Sequence, residues 1–142
     1  VGPVAVWGGV SDLWLTYVER ADLRRMLRRV VGHPHKDAEA YFRRSPVCWA
    51  RDIRPPVMIV HGTRDEQVGV EHAYRLERAL TAAGKPPFMH IAGGMGHVFA
   101  PEEDARALDL VFAWFRDGGR TAAAGSVSGI MRIREANDER KL

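Results

Sequence analysis

The chain alternates between short, densely apolar runs and longer stretches in which apolar residues return every third or fourth position. VAVWGG (4–9), VMIVH (57–61) and PPFMHIA (86–92) are the dense runs. VMIVH shows no polar alternation and is rich in β-branched residues, which predicts a strand covered on both faces, as in a parallel sheet. VAVWGG is expected to be a short buried strand closed by its two glycines. The periodic stretches predict helices. Ser11 or Asp12 can cap the first through a side-chain oxygen, and Leu13, Val18, Leu23, Leu27 and Val30 then recur at helical intervals to about Val31. Ala73, Leu76, Leu80 and Ala83 share one face of a helix over 70–83, with Gly84 where a C-terminal cap belongs. Ala105, Leu108, Phe112 and Phe115 repeat the pattern over 102–116, ahead of Gly118 and Gly119.

Between these elements, GHPH (32–35) breaks the first helix, 38–44 has room for a turn or two, and SPVCWARDIRPP (45–56) reads as a loop. Strand, helix, strand and helix joined by short turns define a βαβ unit. The expected fold is therefore α/β, with parallel strands and flanking helices over 1–119. Residues 120–142, TAAAGSVSG followed by a charged run, are expected to form a poorly ordered tail. Trp7, Trp14 and Trp49 are expected in the core or at an interface.

Composition narrows the function classes. A chain of 142 residues fits one domain. The net charge is only +3, with 18 acids interspersed among 21 bases, so nothing points to nucleic acid. The arginines at 24, 25, 28 and 29 read as a solvated helix face. A single cysteine, Cys48, rules out an internal disulfide framework and is expected as a partly buried thiol. No apolar run approaches the roughly 18 residues of a membrane-spanning helix. No leader-like segment opens the chain, which sets the expectation of a cytoplasmic location. The first residue is Val1 rather than Met, which sets the expectation of a start inside a longer reading frame.

Chemistry gathers at the carboxyl ends of strands in open α/β sheets. Asp65 lies just past one strand and His97 just past the next, and a crossover helix between them brings both loops to the same edge. A carboxylate beside an imidazole holds the ring in one tautomer and stabilises the imidazolium. The imidazole can then serve as general base and acid near neutral pH. Acid before histidine is also the chain order of α/β-hydrolases. His61 is expected to pack and hydrogen-bond, and Gly62, Gly93, Gly94 and Gly96 to serve positive φ or close backbone approach. His33 and His35 form an H-x-H pair with no acid–histidine cluster to complete a metal site.

The stretch PPVMIVHGTRDEQVGVEHAYRLERALTAAGK resembles the strand, acid loop and following helix of the prolyl oligopeptidase family of serine peptidases. GGMGHVF resembles that family's histidine loop, VAVWGGVSDL the strand after its nucleophile elbow, and YFRRSPVCWARDIRPP the approach to the acid strand. The resemblance covers about residues 1–117 and implies the C-terminal half of an α/β-hydrolase catalytic domain with an incomplete sheet. It implies Asp65 as the triad acid and His97 as the triad base, with no cofactor and a peptide or small acyl substrate. Peptidase rather than esterase or lipase rests on the resemblance alone.

One part of the pattern is missing. The family's serine belongs in a G-x-S-x-G elbow, and no such motif occurs here. Gly9-Val10-Ser11 is followed by Asp12 and Leu13; GSVSG (125–129) carries Val127 at its centre; Ser45 precedes a proline. The nucleophile and its oxyanion hole are therefore expected upstream, in a missing half that would be this chain's first partner. An exposed sheet edge would also allow association of copies. The other expectation is a non-catalytic remnant retained for binding.

Overall fold

A computed structural model describes residues 2–120. The tail expected beyond that point, GSVSG included, lies outside the described residues. Strands β1 (Val4–Trp7), β2 (Val57–Gly62) and β3 (Phe88–Ala92) form one parallel sheet in the order β1-β2-β3. Val4 faces Val57 and Trp7 faces Val60; Met58 faces Phe88 and Gly62 faces Ala92. All six positions of β2 are buried, as its unbroken apolar run predicts. The expectation for β1 needs correction: it is only half-buried, because among the described residues it is an edge strand with a single neighbour.

Strand alternation sends successive β2 side chains into two cores. Val57 and Ile59 meet Ala73, Leu76 and Leu80 of helix α4 (Glu71–Ala82). Met58 and Val60 meet Ala107 and Trp114 of helix α5 (Pro101–Arg116), together with Phe99. The central strand thus has a helix on each face. Leu80 is wholly buried, and truncating such a leucine to alanine costs about 2–5 kcal/mol. α4 stops at Gly84, where φ is +75°. The Lys85 amide donates to the Leu80 carbonyl and the Gly84 amide to that of Thr81, both at 2.9 Å, closing the last turn on a Schellman motif. Trp114 Nε1 donates to the Val4 carbonyl at 3.0 Å and pins α5 to the edge strand.

Other expectations change in detail. The helix foreseen from Leu13 to Val31 divides into α1 (Leu13–Glu19), a 3-10 turn (Ala21–Leu23) and α2 (Arg24–Val30). Asp12 is the cap, its Oδ1 accepting the amides of Trp14 at 3.0 Å and Leu15 at 3.2 Å. The break falls at Arg20, whose guanidinium is drawn to Asp22 and to the Gln67 carbonyl at 2.7 Å. Leu27 is buried, but Val18 and Val30 face solvent. Helix α3 (Ala38–Phe42) is present, and a 3-10 turn (Pro46–Trp49) interrupts the expected loop. Cys48 is exposed rather than partly buried. In α5 the inward face is Ala107 and Trp114, while the expected face of Ala105, Leu108, Phe112 and Phe115 looks outward. Among the tryptophans, Trp7 packs on Phe99 with ring centroids 5.1 Å apart, and Trp14 and Trp49 are exposed. No helix of the described residues is long and apolar enough to cross a membrane.

Candidate active site

Because β2 and β3 run parallel, the loops that leave them emerge at one edge. These loops are tied to each other. The Thr63 amide donates to the Ala92 carbonyl at 3.0 Å and the Arg64 amide to the Met95 carbonyl at 2.8 Å. The Gly94 amide donates to Thr63 Oγ1 at 2.8 Å. Gly62 permits this approach, since a Cβ there would run into the carbonyl oxygens of Met95 and Gly96. Gly94 supplies a φ of +78°. Gly93 and Gly96 do neither, which corrects the expectation for those two.

The tied loops set Asp65 against His97. Asp65 Oδ1 accepts the amides of Gln67 and Val68, each at 2.9 Å, while Oδ2 lies 2.8 Å from His97 Nδ1. The Asp65 side chain is 1% exposed. Burial pushes its carboxyl up, but the Val68 amide, the His97 ring and the Gln67 amide together outweigh burial and hold it below the ordinary carboxylate value. An ionised carboxylate can only accept, so Nδ1 of a neutral His97 carries the proton and Nε2 presents a lone pair. Among the described residues Nε2 makes no hydrogen bond, and the side chain is 35% exposed. The ring can therefore meet a further group.

The third strand end meets this ring too. Gly8 follows β1 directly, its amide donating to the Val60 carbonyl at 2.9 Å and its φ at +56°. A Cβ on Gly8 would sit 3.1 Å from His97 Cε1 and 3.2 Å from Nδ1. The sequence shows Gly8 only as the closure of a strand. Its position at the carboxyl edge was the available signal, but the ring contact is tertiary.

Other singled-out side chains are engaged elsewhere. Ser11 is buried and its Oγ donates to the His72 carbonyl at 2.6 Å. Ser45 is buried too, donating to the Tyr41 carbonyl at 2.8 Å and accepting the Leu13 amide at 2.9 Å. Both hydroxyls thus serve the backbone. His72, which the periodicity did not mark, accepts the amides of Ser11 and Asp12 on Nδ1, each at 3.3 Å. Its ring is buried, and that burial pushes its pKa down. Arg24 and Arg28 stack over the Tyr17 ring, at 5.4 and 5.6 Å, so the arginine run is not a purely solvated face. Rings His33 and His35 lie 5.6 Å apart. Among the described residues no three His, Cys, Asp or Glu side chains are grouped to hold a metal ion.

A parallel sheet with a helix on each face, and an acid and a histidine meeting at the carboxyl edge of adjacent strands, defines the α/β-hydrolase class. Residues 5–118 match the prolyl oligopeptidase family, and the chain belongs to that family of serine peptidases. It is 40% identical over 112 residues to the uncharacterized peptidase YtmA of Bacillus subtilis (strain 168), covering 78% of this chain and 44% of that protein. The chain thus spans less than half the length of this curated relative. Among solved structures, a puromycin-hydrolyzing peptidase of Mycobacterium tuberculosis superposes with a TM-score of 0.75 at 23% identity, over 82% of this chain and 18% of that one. An acylaminoacyl peptidase of Pyrococcus horikoshii gives 0.73 at 18% identity, over 80% and 19%. At those identities the two structures establish the shared fold.

Proposed function

We propose that this chain carries the acid and the base of a serine peptidase, with Asp65 orienting His97 and the nucleophilic serine supplied by polypeptide upstream of Val1. The observation that supports it is the 2.8 Å contact between Asp65 Oδ2 and His97 Nδ1, with Nε2 left open. In this reading the serine attacks the acyl carbon of a peptide or small acyl substrate while Nε2 takes its hydroxyl proton. Asp65 stabilises the imidazolium, which then protonates the leaving group. Water repeats the sequence on the acyl-enzyme, and no cofactor enters. The free side of β1 is where the upstream half would continue the sheet. The 142 residues alone should not hydrolyse peptides or esters.

The absence of a G-x-S-x-G motif from these residues favours a second reading, a hydrolase remnant that binds without catalysis. A fluorophosphonate probe separates the two. Covalent labelling of a longer native product that includes this chain supports the peptidase. Failure to label any native form of the protein supports the remnant.

A further inference from the structure

His61 stands near the end of β2, on the strand face that packs against α4, with its side chain 1% exposed. Its Nε2 lies 2.8 Å from the Val68 carbonyl oxygen. A carbonyl only accepts, so Nε2 carries the proton. The same N–H edge is 3.5 Å from Asp65 Oδ2, the oxygen that faces His97. Val68 is consequently fastened at both backbone groups, its amide on Asp65 Oδ1 at 2.9 Å and its carbonyl on His61. With the proton on Nε2, Nδ1 becomes a buried acceptor with no partner among the described residues. Leaving a buried polar atom unmet is unfavourable, because its hydration is lost with nothing in return. An apolar side chain would fill this site without that cost, so packing alone does not account for an imidazole here.

We infer that His61 is a positioning residue: its Nε2–H closes the turn from Asp65 to Val68 and so aims Asp65 Oδ2 at His97. This rests on reading Asp65 and His97 as acid and base. Its consequence, however, is conformational and is measured without hydrolysis. The His61 side chain is buried behind the acid loop. It acts through the shape of the acid loop, the one segment that must stay fixed while His97 exchanges protons.

Amide hydrogen exchange by NMR on the full 142-residue chain tests this. His61→Leu should raise the exchange rates of the Gln67 and Val68 amides about tenfold, the effect of one lost hydrogen bond. The Leu80 amide inside α4 should keep its rate, and the hydrogen-bonded Nδ1 proton of His97 should broaden or vanish. His61→Gln, whose amide nitrogen reaches the place of Nε2, should restore both signals. The shorter His61→Asn should not. Unchanged Gln67 and Val68 rates in the leucine variant would overturn the inference, and so would a uniform rise that includes Leu80. Should the leucine variant fail to fold, the Gln and Asn pair decides, and equal rates in the two overturn it. A negative probe-labelling result would leave these rates untouched, so the two readings fail separately.

Discussion

Asp65 and His97 arrive at the same sheet edge by the same device, a loop after a parallel strand, yet they are held very differently. Asp65 is buried, with one oxygen on two backbone amides and the other on His97. His97 has the Asp65 hydrogen bond, the bare backbone of Gly8 against its ring, and an open Nε2. The difference fits a division of labour. A group that orients gains from rigidity, whereas a group that shuttles a proton between partners needs an accessible face.

The largest effect should come from the rigid member. In the longer protein proposed to supply the nucleophile, Asp65→Asn should lower turnover on the order of 10⁴-fold with the fold retained. Steady-state kinetics beside a thermal melt would check this, and wild-type turnover would remove Asp65 from the reaction.

Next comes the scaffold that joins the two loops. Gly62→Ala drives a methyl group into backbone carbonyls that have little freedom to retreat. It should destabilise the chain by about 2–3 kcal/mol in denaturant unfolding. Gly93→Ala, with open space and no positive φ, should stay within about 0.5 kcal/mol. Equal effects from the two alanines would contradict the close approach of the loops.

The partly exposed member is probed by Gly8→Ala. The left-handed backbone there costs an alanine about 1–2 kcal/mol, and its methyl would crowd the His97 ring. Turnover in the proposed longer protein should fall about tenfold, a loss near 1.4 kcal/mol in the transition state. An unaltered rate would show that the Gly8 contact does not set the ring.

The smallest effects are those of pH on stability. Asp65 has a lowered carboxyl pKa, so the unfolded chain binds its proton first. The stability it contributes is complete above the ordinary value of 3.8 and lost as pH falls through the lowered one. His72 is also lowered, chiefly by burial, from an ordinary 6.5. Its neutral form is the folded one, so stability should begin to decline once pH drops below about 6.5. Urea midpoints measured between pH 8 and 4 should show that earlier decline, and His72→Gln should remove it.

The parts of this arrangement that depend on local pattern were legible in the sequence. The unbroken VMIVH run marked a two-sided strand, and Gly84 marked the end of α4. The positions of Asp65 and His97 relative to their strands placed both at one edge. What escaped depends on tertiary choice. Helix α5 has apolar residues on two faces, so periodicity identifies a helix without telling whether Leu108 and Phe112 or Ala107 and Trp114 look inward. The break at Arg20 is fixed by partners at Asp22 and Gln67, the latter distant along the chain. The role of Gly8 appears only when the third strand end is brought against the imidazole.

The central claim is that Asp65 fixes His97 with the proton on Nδ1, and nitrogen-15 NMR of the imidazole reads this directly. For neutral His97 the account predicts a protonated Nδ1 with a strongly downfield proton and a bare Nε2, with that signal lost in Asp65→Asn. A ring protonated on Nε2 in the wild-type chain, or a spectrum indifferent to Asp65→Asn, would contradict it.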